Sequence, residues 1–394
     1  MAGQGLSAGA GGSTAPHFLS SASAEPSIIV RGSAHPGAIS CSGSGLCPSQ
    51  LRQAYNFTGL VNNASTNGTG QSIVIVDACG DSKIASDLTT FDKAFHLPAA
   101  TLTVYHPQGT PCAQTSWAIE TALDVEWSHA MAPGAAINLV IASKSTDASL
   151  YAAWNYSLLN KLGLQISNSW GGNGGCSSVP KTIIATAAAA GVTVLASAGD
   201  SGAWGSGTRA KVQLPADCNQ TIAVGGTTLS MSKGGGYGSE SAWGGSGGGY
   251  VTGTVEPLDQ KAAKIPDSYK QVAKPDVSAV ADPLTGVWVY EQRLGGWTVV
   301  GGTSVSCPLW AGFVADANSW RAANSFGSLG AFGAYLYLHV YGAGGLSANY
   351  SATIHDVTTG SNGWSAGTGW DAATGIGSFN AYPLAQQLGN DPAA

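Results

Sequence analysis

Between residues 71 and 202 the chain alternates short continuous apolar runs with longer segments of mixed character. The run Ile73–Val76 in QSIVIVDACG closes on Asp77, and IASDLTTFDKAFHL follows with apolar positions at helical spacing. TSWAIETALDVEWSHAMAPG predicts a second helix, with Thr115 or Ser116 as its cap and Pro133-Gly134 as its stop. AAINLVIAS, LQISNSWGG and VTVLASAGDSG then read as strands, separated by the helical segments DASLYAAWNYSLLNKLG and PKTIIATAAAAG. Continuous apolar runs are what strands buried on both faces require. Their regular alternation with helices predicts an α/β fold: one domain, with a parallel sheet carrying helices on both faces. PSQLRQAYNF predicts a short helix before this unit, and PLWAGFVADANSW a helix after it. From about 204 to 300 the chain is rich in Gly, but Trp and Tyr recur there, which predicts ordered loops and edge strands. Residues 1–36 read as a flexible segment without the basic start and apolar core of a signal peptide, leaving 37–394 as the folded domain.

Composition narrows the function. Charged residues make up 10% of the chain, against about 25% in an average soluble protein. Sixteen Lys and Arg are spread without a cluster and the net charge is −6, which argues against a nucleic-acid partner. No apolar run reaches the roughly 18 residues of a membrane span. A surface so poor in ionised groups suits an acidic, extracellular setting, and a monomer is expected. Seven cysteines occur without a CxxC spacing, so a zinc site is not indicated. Their loop positions suggest the pairs Cys41–Cys47, Cys79–Cys112 and Cys176–Cys218, with Cys307 a buried free thiol; reduced cysteine throughout is the competing reading.

Three motifs carry candidate chemistry. GGTSVSCP resembles a serine-peptidase nucleophile turn, with Ser304 near the start of a helix whose dipole favours developing negative charge. None of the seven histidines is followed by Gly, as the base of a subtilisin-type triad would be, and His129 reads as a helix-end residue favourable to the dipole. Glu120 and Asp124 lie four residues apart on one predicted helix and therefore share a face. Paired carboxylates raise one another's pKa; a solvated helix face is the plainer explanation, weakened by the apolar residues around them. Asp200, in SAGDSG at the end of an apolar strand, stands where α/β proteins place their sites, although an Asp-capped turn looks the same in sequence.

Together, Glu-x-x-x-Asp, SAGDSG and GGTSVSCP, in that order, resemble the sedolisins, the serine-carboxyl peptidases. The likeness runs from about Gln50 to Leu388 and includes LDVEWSHAMAPGA, ISNSWGG, KPDVSAVADPLTG and GTGWDAATGIGS. The resemblance implies a subtilisin-like fold in which glutamate replaces histidine. Ser304 would then be the nucleophile, Glu120 its base, Asp124 the carboxylate that holds and tunes Glu120, and Asp200 a protonated oxyanion donor. Asp77 and Trp170 would support the Glu120–Asp124 pair from behind. A carboxyl donor and a carboxylate base both need acid. The implied protein is a secreted, acid-acting endopeptidase on protein or peptide substrates, with no membrane attachment.

The same resemblance implies a calcium ion, Ca2+, near the C-terminus, held by the carboxylates of Asp356 and Asp371 and the carbonyls of Val357, Gly367 and Gly369; two aspartates capping turns would be the reading without it. Family members are made with a long N-terminal prodomain, for which the residues before Gln50 leave no room, so a mature fragment or an atypical member is expected. ISNSWGG and SGGGYVTG read as edges to which a substrate backbone adds as a strand. Between Ser201 and Leu214 the only charges are Arg209 and Lys211, which hints at no pocket for basic side chains. An inactive binding protein on the same scaffold is the alternative. An unrelated α/β-hydrolase is disfavoured, because no G-x-S-x-G surrounds Ser304.

Overall fold

Apolar strands with helices between them assemble as their pattern requires. The computed structural model describes residues 23–394 apart from 38, 42–43, 173–174, 204–211 and 267–268. Its central sheet has eight strands. From one edge they run Thr101–Tyr105, Ala136–Ala142, Ser72–Ala78, Gln165–Asn168, Thr193–Ser197 and Ile222–Met231, all parallel. Val277–Val280 adds in parallel to Ile222–Met231, and Tyr237–Ala242 pairs with it antiparallel. In the central strand every residue from Ile73 to Ala78 is buried.

Each face of the sheet has its own packed layer. On one side Ile73, Ile75, Leu139 and Val224 pack with the helices Ile84–Phe95, Thr115–Met131 and Thr303–Ala323. On the other, Val74, Val76, Val140 and Ile166 pack with the helices Asp147–Leu159 and Lys181–Ala189. The Thr115–Met131 helix is buried at every position from Trp117 onward, as expected of a helix apolar on all sides. Carboxylates on it therefore enter the interior with the helix.

Three expectations are corrected. Of the segment expected to be flexible, residues 1–22 lie outside the described residues, whereas Glu25–Pro26 pairs with Trp170–Gly171, and Ile29–His35 pairs with Gly296–Gly301. Ile28, Ile29 and Val30 give this stretch an apolar, β-branched sequence that a sheet edge can take up. The helix expected from Pro308 begins at Thr303, so Ser304 lies in its first turn and Pro308 inside it. His129 is not a charged cap. It is buried and hydrogen-bonded to the Pro98 carbonyl at 2.8 Å, and burial pushes its pKa down to about 4. The glycine-rich region resolves into strands, among them Gly249–Val251 paired with Val272–Lys274, which occupies part of the SGGGYVTG edge. Cys41–Cys47, Cys79–Cys112 and Cys176–Cys218 are disulfides, and Cys307 is a buried free thiol. Arg209 and Lys211 fall outside the described residues.

Candidate active site

Parallel strands place their C-terminal ends together, and the candidate residues collect there. Asp77 closes the Ser72–Ala78 strand, Asp200 follows Thr193–Ser197, Glu120 and Asp124 come from the buried helix, and Ser304 from the first turn of the Thr303–Ala323 helix. Glu120, Asp124, Asp77 and Ser304 are all fully buried.

The interior leaves these acids short of partners. Asp124 Oδ1 accepts a hydrogen bond from Ser169 Oγ at 2.8 Å, whereas Asp124 Oδ2 and both oxygens of Glu120 and Asp77 accept none. Among the described residues, no Lys, Arg or His acts on Asp77, Asp124 or Asp200. Burial is the largest cause raising the pKa of Glu120, well above the ordinary range, and Asp124, Asp77 and Asp200 add repulsion; the neighbouring Ser304 hydroxyl works the other way. Asp124 is raised in the same manner, by burial and then by Asp77. Asp77 is pushed up to about 7 by burial, partly offset by the Thr121 hydroxyl. Such a group releases its protons in steps that belong to the cluster rather than to one residue.

Asp200 is oriented differently. Its Oδ1 accepts from both the backbone N–H and the hydroxyl of Thr303, each at 2.8 Å. Oδ2 is buried and unpaired, and burial raises the carboxyl to about 7. A proton on Oδ2 is thus held in place to be donated. Gly302 permits this approach: its φ is +112°, and a Cβ there would stand 2.4 Å from Asp200 Oδ2. Ser304 Oγ donates to the Ser169 carbonyl at 3.2 Å, and Trp170 Nε1 donates to the Val76 carbonyl at 2.9 Å, pinning the strand end beside Asp77.

Three groups in this arrangement were not singled out in the sequence. Ser169 contacts both Asp124 and Ser304, Thr303 fixes Asp200, and the Ser27 carbonyl oxygen accepts from the Ser304 N–H at 3.0 Å. Ser169 and Thr303 sit inside quoted motifs, but a lone hydroxyl has no spacing signal. Ser27 lies in the stretch expected to be flexible. A cavity lined by Gln260, Asp276 and Tyr337 holds none of these acids.

The C-terminal loop has a different character. Asp356 accepts from Gly369 N–H through both oxygens at 3.1 Å, and Asp371 accepts from Gly367, Ala373 and Thr374 N–H. The two carboxylates therefore flank the Gly367–Gly369 turn. Among the described residues, the carbonyls of Val357, Gly367 and Gly369 accept no hydrogen bond.

Raised carboxyl pKa values make stability depend on pH in a definite sense. Asp77 and Asp200, raised from about 4 to about 7, favour the folded state while protonated. Their contribution is complete below pH 4 and is lost as pH rises through 7. Thermal melting followed by circular dichroism is expected to give a higher Tm at pH 4 than at pH 8; a Tm that climbs over this interval would contradict the burial of these acids.

A model of the subtilase family matches residues 99–328, more than half of the chain. The chain is 33% identical to kumamolisin of Bacillus sp. (strain MN-32) over 412 aligned positions, covering 95% of this chain and 68% of that protein. It is 33% identical to sedolisin of Pseudomonas sp. (strain 101), covering 52% of this chain and 36% of that one. Human tripeptidyl-peptidase 1 is 29% identical over 88% of this chain and 65% of its own length. A solved structure of Pseudomonas sedolisin, a serine-carboxyl proteinase complexed with two molecules of pseudo-iodotyrostatin, superposes with a TM-score of 0.75 at 25% identity, covering 92% of this chain and all of that one.

Proposed function

The chain belongs to the sedolisin family of serine-type peptidases, within the subtilase fold, and from that premise we propose that it is a secreted endopeptidase acting in acid through Ser304, Glu120, Asp124 and Asp200. The observation that carries this reading is the burial of Ser304 beside carboxyls that, among the described residues, no basic group neutralises. A cluster so desolvated holds fewer negative charges than it has carboxyls. With one charge shared among Glu120, Asp124 and Asp77, Glu120 takes the Ser304 proton as Oγ attacks a peptide carbonyl. Asp124, held by Ser169, and Asp77 behind it set how strongly Glu120 holds that proton. The Ser304 N–H and the proton on Asp200 Oδ2 receive the developing oxyanion, and such preorganised donors matter most in a dry site. Glu120 then returns the proton to the leaving amine, and water hydrolyses the ester.

The pH dependence follows from the same groups. Below the working range the cluster is fully protonated and Glu120 is no longer a base. As pH rises through about 7, Asp200 loses the proton it donates. Digestion of a denatured protein substrate between pH 2 and 8 is expected to show an acid optimum in the wild type and none in Ser304→Ala. A folded wild type that digests nothing at any of these pH values would remove the enzymatic reading and leave a binding protein on this scaffold. Three disulfides support an oxidising, extracellular location, and among the described residues no helix is long and apolar enough to cross a membrane.

The C-terminal loop fits a calcium ion. Calcium takes six or more oxygens, many of them backbone carbonyls. Asp356, Asp371 and the three unpaired carbonyls of Val357, Gly367 and Gly369 would hold it, and the ion would supply stability rather than chemistry. Chelation is expected to lower the Tm by several degrees, since saturating calcium at about 100 times its Kd stabilises by about 2.7 kcal/mol. Asp371→Ala should melt earlier and no longer respond to chelator. A wild-type Tm indifferent to chelator would count against the site.

A further inference from the structure

Outside the candidate site, four buried carboxyls from separate segments converge on one turn. The turn, at 290–294, joins the antiparallel strands Val287–Glu291 and Gly296–Gly301. Asp81 comes from the loop after Ser72–Ala78, Asp87 from the helix Ile84–Phe95, Glu126 from the helix Thr115–Met131, and Glu291 from the turn itself. Asp81, Asp87 and Glu291 each bring an oxygen within 4.8 Å of the other two. The acids hold the turn by its backbone. Glu126 Oε2 accepts from Tyr290 N–H at 3.1 Å, and Asp87 Oδ2 from Gln292 N–H at 3.2 Å. Glu291 accepts from Arg293 N–H at 3.2 Å and Leu294 N–H at 2.7 Å. The Gln292 amide also donates to Asp87 Oδ1 at 2.6 Å.

Positive charge is scarce here. Among the described residues Arg293 is the cation that pairs with the cluster, its Nε lying 3.2 Å from Asp81 and 3.0 Å from Glu291. Lys83 is exposed, as is His106, which lines a cavity of about 450 Å³ with Asp81 and Arg293. Asp92 adds a further acid facing Glu126, and His129, 3.4 Å from Asp92, is held neutral above about pH 4 by burial. Asp81 Oδ2 and Glu126 Oε1 are buried and accept no hydrogen bond. With every carboxyl ionised, four negative charges would face one positive charge in the interior. Carboxyls this close share protons instead of all ionising. Burial, with Asp81 adding repulsion and Gln292 opposing it, raises Asp87 to about 6; burial, then Asp87, Asp92 and Asp81, raises Glu126 well above its ordinary range against the Tyr290 N–H. Both groups therefore stabilise the closed turn below about pH 4, and that contribution is lost as pH rises through 6 and beyond.

The turn is joined to each segment that carries the candidate base and nucleophile. Glu126 shares its helix with Glu120 and Asp124, Asp81 lies four residues after Asp77, and Gly296–Gly301 runs directly into Gly302, Thr303 and Ser304. We infer that Asp81, Asp87, Glu126 and Glu291 form an acid-closed latch: shared protons clamp the turn at 290–294 onto the two helices in acid, and their loss toward neutral pH releases the turn and with it the alignment of Ser304 and Glu120. The consequence for activity rests on the peptidase reading above; the opening of the latch does not. The cavity over Asp81 and Arg293 gives solvent a route to the protons.

Hydrogen exchange followed by mass spectrometry tests the latch, in the Ser304→Ala background so that self-digestion cannot intervene. Protection is corrected for the intrinsic pH dependence of exchange. Between pH 4 and 7.5 the turn should lose about tenfold or more in protection, while the central strand Ser72–Ala78 keeps its own. Glu126→Gln removes one charge and leaves an amide oxygen to accept from Tyr290 N–H, so it should move the opening midpoint up by about one pH unit. Arg293→Ala removes the neutralising cation and should move it down by a similar amount. Opposite shifts are the signature of charge, because a turn that is merely loosened loses protection at every pH. In parallel, proteins with Ser304 intact are held at pH 7.5 and assayed at once at pH 4 on a denatured protein, where Glu126→Gln should retain at least threefold more activity than the wild type. Protection that is unchanged with pH, or midpoints that move the same way in both variants, overturns the latch. A turn that opens as described while wild type and Glu126→Gln survive neutral exposure equally overturns its control of activity. A latch that opens as described in a protein that digests nothing at acid pH overturns the peptidase reading and leaves the latch standing.

Discussion

Glu120→Gln is expected to lower kcat by about 10⁴-fold, the upper end of what one positioned general base contributes, and at the same time to raise the melting temperature at neutral pH. The first effect follows because, among the described residues, no histidine acts on Glu120, and Asp124 is committed to Ser169 through Oδ1. The second follows because Glu120 is fully buried with neither oxygen hydrogen-bonded and with Asp124, Asp77 and Asp200 repelling its charge. The folded state raises its pKa, so Glu120 costs little while protonated and becomes destabilising as pH rises above the ordinary carboxyl range. Glutamine removes that charge. The difference in Tm between the variant and the wild type should therefore be small near pH 4 and widen toward pH 8. Loss of activity with an unchanged or falling Tm difference would mean that Glu120 is not the strained acid described here. Activity surviving the substitution would remove it as the base.

The parts of this site that were legible in the sequence share one property: their signal is periodic or contiguous. The strand Ile73–Val76 and the buried helix could be read because apolar runs and four-residue spacing are local. Glu120 and Asp124 stood out because carboxylates are unusual on an apolar helix, and the structure places both in the interior. Asp200 and Ser304 were legible as strand-end and helix-start residues, and their meeting depends only on parallel topology. Thr303 was hidden because its partner, Asp200, is 103 residues away, and Ser169 because its partner, Asp124, is 45 away; one hydroxyl among many in a Ser-rich and Thr-rich chain carries no pattern. The N-terminal strands were hidden for another reason. Their short β-branched run becomes strand only against the edges supplied by Trp170–Gly171 and Gly296–Gly301, which lie far off in sequence. His129 misled because a helix-end position says nothing of burial, and burial decided its charge.

Asp200→Ala should cost about 10²–10³ in kcat, the usual loss for one oxyanion donor, with substrate binding much less affected. The geometry assigns the two oxygens different work. Oδ1 is occupied by the Thr303 N–H and hydroxyl, so only Oδ2 is free to carry a proton toward a carbonyl held by Ser304 N–H. Burial raises the carboxyl to about 7, so the proton is present throughout the acid range and is lost as pH rises through that value. Loss of the proton removes a donor and also places a negative charge against the developing oxyanion, so the alkaline limb of the wild-type pH–rate profile should be steep. Asp200→Asn separates these two effects. Its amide oxygen can still accept from Thr303 while its nitrogen donates at every pH. The variant should retain more activity than Asp200→Ala, and its rate should no longer fall through pH 7 for want of this proton. Kinetics of all three proteins on one peptide, from pH 3 to 8, would show it. If Asp200→Asn keeps the wild-type alkaline limb, that limb belongs to the Glu120–Asp124–Asp77 cluster and Asp200 acts through Thr303 alone.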